Sequence, residues 1–103
     1  LAPWFFAIAE NELDEGEKKP LLIEGDKLLL LRQGGDFYAI SNKCPHMDCP
    51  LSKGTLNGYV IQCPCHDWQF DIRSGEFLNA EEIKVPAYET KAADGKIYVN
   101  MER

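Results

Sequence analysis

Apolar residues along the chain fall in short runs broken by Gly, Pro, Asn and Asp, with no long helical stripe. Lys27-Leu28-Leu29-Leu30-Leu31-Arg32 is six residues long and is followed by Gly34-Gly35. That is strand length, so the run predicts a buried strand, and Phe37-Tyr38-Ala39-Ile40 predicts its hairpin partner. Asn57-Gly58 predicts a tight turn before the strand Tyr59-Val60-Ile61-Gln62. Gln69-Phe70-Asp71-Ile72 alternates apolar and polar residues, and Ser74-Gly75 turns the chain after it. Tyr88-Glu89-Thr90-Lys91 and Lys96-Ile97-Tyr98-Val99 flank Ala92-Ala93-Asp94-Gly95, a second hairpin. Apolar residues 1–9, with Pro3 and three aromatics, suit a first strand. Residues 11–19 are charged and predict a loop, with a helical turn at residues 12–13 and Pro20 closing it. Regularly spaced short strands imply an all-β fold, a sandwich or small barrel. No repeat or low-complexity stretch interrupts it.

A length of 103 residues predicts a single domain over residues 1–103, small enough for its core alone to be marginal. Metal or covalent staples would help it. A net charge of −6 argues against nucleic acid as a partner and fits docking on a basic patch of another protein. The acidic residues 10–17 and the pair Glu81-Glu82 are expected to be solvated faces. No stretch supplies the roughly 20 apolar residues of a membrane span, and the start lacks the basic residues of a signal peptide. The chain is expected to be a cytoplasmic monomer. It begins at Leu, and an upstream segment, had one been removed, would instead allow a periplasmic or membrane-associated complex.

The chemistry is concentrated in Cys44-Pro45-His46 and Cys63-Pro64-Cys65-His66, with sixteen residues between His46 and Cys63. Two Cys and two His also form a familiar zinc set, but zinc fingers usually pair Cys with Cys and His with His. Here each segment carries a mixed pair. No nucleophile–base pair, phosphate loop or catalytic carboxylate pair accompanies them, so the chain is expected to be no enzyme.

The C-x-H and C-x2-H segments resemble the cluster-binding motif of Rieske iron–sulfur proteins, where two Cys hold one iron and two His the other. Gly35-Asp36-Phe37-Tyr38-Ala39-Ile40, Leu51-Ser52-Lys53-Gly54, and Phe70-Asp71 with Ser74-Gly75 resemble segments of the soluble Rieske ferredoxins, so the likeness runs from about Leu28 to Val99. It implies three stacked antiparallel sheets with one [2Fe–2S] cluster at a tip formed by two loops. Cys44 and Cys63 would hold the buried iron, and His46 and His66 the iron nearer solvent. Mixed pairs suit two loops that each give one ligand to each iron. The resemblance also implies that Cys49 and Cys65 form a disulfide between the loops, as in the Rieske subunits of cytochrome bc complexes. Pro45, Pro50 and Pro64 would stiffen the loops, and Met47 would cover the cluster.

The implied function is one-electron transfer from a reductase to an oxygenase or other terminal redox partner. Both histidines are committed to the cluster, so none remains for an oxygenase's mononuclear iron. The alternatives are a subunit of a larger redox complex, such as a quinol oxidoreductase or nitrite reductase, and a zinc-stabilised interaction module.

Residues beside the second loop predict the potential. In the respiratory branch a Ser and a Tyr donate hydroxyl hydrogen bonds to cluster sulfurs. Here Trp68 and Phe70 stand in their places, while Asp67 and Asp48 add negative charge. Fewer donors and more negative charge favour the oxidised cluster, so the expected potential lies low in the Rieske range, on the order of −150 to 0 mV. Trp68 itself is expected to pack beside the loop rather than to conduct electrons.

Overall fold

The structure, a computed structural model, describes residues 3–44, 49–65 and 67–101. Among these it contains twelve strands in three antiparallel sheets, two short 3-10 turns and no α-helix. The base sheet pairs β1 (Trp4–Ala9) with β12 (Lys96–Asn100), and β12 with β11 (Thr90–Ala93). The middle sheet runs in the order β10 (Ala87–Tyr88), β4 (Asp36–Ser41), β3 (Asp26–Gln33) and β2 (Lys18–Ile23). The third sheet is a meander of β5 (Thr55–Asn57), β6 (Val60–Gln62), β7 (Gln69–Asp71), β8 (Glu76–Phe77) and β9 (Ala80–Lys84).

The leucine run explains the layering. Leu28 and Leu30 point into one core with Ile8, Phe37, Ile97 and Val99. Leu29 and Leu31 point the other way, into a second core with Ile40, Leu51, Ile61 and Phe70. All four are fully buried, because β3 is covered on both faces. A strand so placed loses the apolar–polar alternation of a half-exposed one.

Three local expectations are corrected. The helical turn lies at Glu10–Glu12, and Leu13 leaves it in an extended conformation. Pro20 does not close a loop; it sits inside β2, opposite Leu29. β2 is an edge strand, the position in a sheet that tolerates a residue with no N–H. Residues 88–91 are not one strand. Tyr88 pairs with Ala39 of the middle sheet, Thr90 pairs with Val99 of the base sheet, and the chain changes layer at Glu89.

The acidic residues 10–17 are more than a solvated face. Glu15 accepts hydrogen bonds from the N–H groups of Gly34 (2.5 Å) and Gly35 (2.9 Å) at the β3–β4 turn. Arg32 donates to the carbonyls of Glu10 (3.3 Å) and Leu13 (2.8 Å). The strap is thereby laced onto the middle sheet.

Candidate metal centre

Two loops, both abutting the second core, form the candidate site. The first leaves β4 at Asn42, whose side chain is buried and accepts from the Ser52 N–H at 2.7 Å. Its amide donates to the Ser52 hydroxyl at 3.2 Å, so the entrance and exit of the loop are pinned together. Cys44 closes the neck, its N–H donating to the Cys49 carbonyl at 2.9 Å. Pro50 then starts the 3-10 turn Leu51–Lys53, which sinks Leu51 completely into the core. Gly54 follows because the chain passes directly over β6: a methyl group there would overlap the carbonyl oxygen of Gln62.

The second loop repeats the device. β6 delivers Cys63, whose N–H donates to the Trp68 carbonyl at 2.7 Å, and the Asp67 N–H donates back to the Cys63 carbonyl at 3.2 Å. In each loop the backbone of the cysteine proposed as a ligand holds the neck. Both residues are fully buried and belong to the core that contains Leu51, Ile61 and Phe70.

Cys49 and Cys65 form a disulfide that joins the two loops, with 6.5 Å between their Cα atoms. The Sγ atoms of Cys49, Cys63 and Cys65 lie within 4.8 Å of one another, so the staple sits directly beside the Cys63 sulfur. Cys44 and Cys63 stay outside the disulfide. Two buried sulfurs, one from each stapled loop, fit the thiolate half of a mixed Cys/His donor set. The imidazole half, His46 and His66, and the neighbouring Pro45, Met47 and Asp48 lie outside the described residues.

Around the second loop, Asp67 adopts φ +57°, a left-handed conformation that Asp tolerates better than most residues. Trp68 stacks on Phe77 with centroids 4.3 Å apart and planes at 11°. Phe70 lies 5.6 Å from Phe77 and is fully buried. Trp68 thus packs against the second core beside the loop. In the turn after β7, Arg73 bridges Asp71 at 3.0 Å and holds its carboxyl below the usual aspartate range. Sequence reasoning missed Asn42 and Gln62, because the residues they contact are five to ten positions away and no local motif announces them.

A model of the Rieske [2Fe–2S] domain family matches residues 3–89. The chain belongs to that family. The ferredoxin component of the naphthalene 1,2-dioxygenase system of Pseudomonas putida is 30% identical over 99 residues, 95% of each chain. A chain in the complex of reduced oxygenase and oxidised ferredoxin of carbazole 1,9a-dioxygenase superposes with a TM-score of 0.90 at 28% identity. That match covers 100% of this chain and 97% of the other. A Mycobacterium tuberculosis protein assigned as a small subunit of an NADH-dependent nitrite reductase also gives 0.90, covering 100% of this chain and 98% of its own. At 23% identity, that likeness is one of fold alone.

This Rieske protein carries one [2Fe–2S] cluster and works as an electron carrier rather than a catalyst. The zinc alternative falls with that assignment. No helix among the described residues is long and apolar enough to cross a membrane.

Proposed function

We propose that this chain, as a single domain, is the ferredoxin of a multicomponent oxygenase, taking an electron from a reductase and delivering it to the terminal oxygenase. What carries the reading is the pair of fully buried cysteines, Cys44 and Cys63, on two loops stapled by a disulfide. The end-to-end likeness to the naphthalene dioxygenase ferredoxin supports the oxygenase as partner. A cytoplasmic location follows from that role.

Cys44 and Cys63 would hold the inner iron as thiolates, with Leu51, Ile61 and Phe70 excluding water from them. His46 and His66 would hold the outer iron. Bound there, the cluster supplies reversible one-electron storage. Asp67 lowers the potential by its charge, and Trp68 and Phe70 lower it by offering no hydroxyl donor.

The deciding experiment is the visible and EPR spectrum of the purified protein, followed by protein-film voltammetry. A Rieske spectrum is expected, lost on Cys44→Ser or Cys63→Ser, with a potential on the order of −150 to 0 mV. A value near +300 mV would overturn the low-potential reading. Stopped-flow reoxidation by the terminal oxygenase encoded nearest its gene tests the partner, and no electron transfer to it would exclude that role.

One observation favours a second reading. The Cys49–Cys65 disulfide resembles that of respiratory Rieske subunits, which would make the chain part of a quinol-oxidising complex. A high potential together with quinol-dependent reduction would select it.

A further inference from the structure

The neck of the second loop is crossed by a side-chain relay that the loop motif does not contain. Gln62, the residue before Cys63, donates from Nε2 to Oδ1 of Asp67 at 2.9 Å. Gln69, at the start of β7, donates from Nε2 to Oε1 of Gln62 at 3.2 Å. The direction of this relay is fixed at its Asp67 end. An ionised carboxylate only accepts, so Gln62 must turn its NH₂ toward Asp67, which leaves its oxygen for the NH₂ of Gln69. Gln62 and Gln69 face each other across the β6–β7 ladder, so both amides stand on strands rather than on the loop. Asp67, in contrast, is exposed and sits at a left-handed φ, its N–H donating to the Cys63 carbonyl.

We propose that Gln62 is a positioning residue: it holds the Asp67 carboxylate at the neck of the second loop and thereby sets how strongly that charge acts on the reduction potential. The proposal rests on the reading above that Asp67 lowers the potential. A carboxylate tied to a strand keeps a fixed distance from the loop. One released into solvent keeps its charge and finds water donors in place of the amide, but it samples positions where water and salt screen it. Gln62 therefore acts through the location of the charge, and Gln69 acts through the orientation of Gln62.

The experiment is a double-mutant cycle on the cluster-containing protein, read as reduction potential by protein-film voltammetry. Asp67→Asn is expected to raise the potential. Gln62→Leu is expected to raise it by a smaller amount, and Gln69→Leu by less again, with EPR spectra that still report an intact centre. In the Asp67→Asn background, Gln62→Leu is expected to cause no further shift. If Asp67→Asn leaves the potential unchanged, the assigned role of Asp67 is wrong. If Asp67→Asn raises the potential but Gln62→Leu does not, or shifts it equally in both backgrounds, the positioning role of Gln62 is wrong. Should Gln62→Leu lose the cluster, Gln62→Met keeps a longer side chain on β6 without the donor and answers the same question.

Discussion

Glu15 shows how one carboxylate organises a turn. It accepts from two consecutive amides, and those bonds, that to Gly35 foremost and then that to Gly34, hold its carboxyl below the ordinary glutamate range. A carboxyl whose folded pKa is depressed contributes stability above its unfolded pKa, about 4.3, and loses that contribution as pH falls through the lower folded value. Glu15→Gln is therefore expected to lower the melting temperature at pH 7, with the gap to wild type closing as the pH drops below about 4. Thermal denaturation across that range checks it, and a gap independent of pH would exclude the charge as its origin. Gly54 makes a different point. A β-carbon there would meet the Gln62 carbonyl, which is backbone and cannot rotate aside. Gly54→Ala is expected to destabilise the fold by about 1–3 kcal/mol and to lower cluster content, because the displaced strand leads straight into Cys63. Urea denaturation and the iron-to-protein ratio test it together. The sequence marks Gly54 as part of a familiar loop exit, but the reason for it exists only once β5 and β6 are in register.

Which strands were legible depends on what each one buries. β3 and β4 stood out because a run of four leucines between turn signals has no other economical placement. The hairpin at Asp94-Gly95 was equally plain. β2 was hidden by Lys18, Lys19 and Pro20, residues that suit an edge strand and read as loop when pairing is unknown. β8 was missed because two residues carry no periodicity, and β9 because, at the edge of its sheet, none of its five residues is buried. The change of layer at Glu89 is a tertiary choice: β10 and β11 are short and contiguous, and their partners, β4 and β12, lie in different sheets. The two Cys/His loops were legible as motifs, whereas the contacts that shape them were not. The disulfide belongs with those loops, since it joins two segments otherwise linked through the chain between them. With its cysteines 16 positions apart, removing it as Cys49→Ser/Cys65→Ser is expected to cost about 3 kcal/mol of stability. Cluster loss under denaturant should quicken as well. Urea melts and bleaching of the visible spectrum measure the two effects, and an unchanged bleaching rate would mean the staple stabilises the fold without guarding the site.

The described residues pack into two cores sharing one wall. Leu28 and Leu30 belong to the core beneath the base sheet, and Leu29 and Leu31 to the core that contains Cys44 and Cys63. Neighbours in sequence thus serve different halves of the protein, so a pair of chemically identical substitutions can separate global stability from protection of the metal centre. Leu29→Ala and Leu30→Ala each remove a fully buried side chain from a strand covered on both faces, and each is expected to cost about 2–5 kcal/mol. The cavities differ in position. The one left by Leu29 opens in the core around Leu51, Ile61 and the two cysteines, whereas the one left by Leu30 opens on the other side of the middle sheet, among Ile8, Ile97 and Val99. Water reaching the first cavity meets Cys44 and Cys63, the residues proposed to hold the inner iron; water reaching the second meets only the base. At matched denaturant-induced instability, Leu29→Ala should therefore release iron faster than Leu30→Ala, followed as loss of visible absorbance in the presence of a chelator. Equal release rates at matched stability would mean that global unfolding, rather than local opening of the cysteine core, controls how long the centre survives.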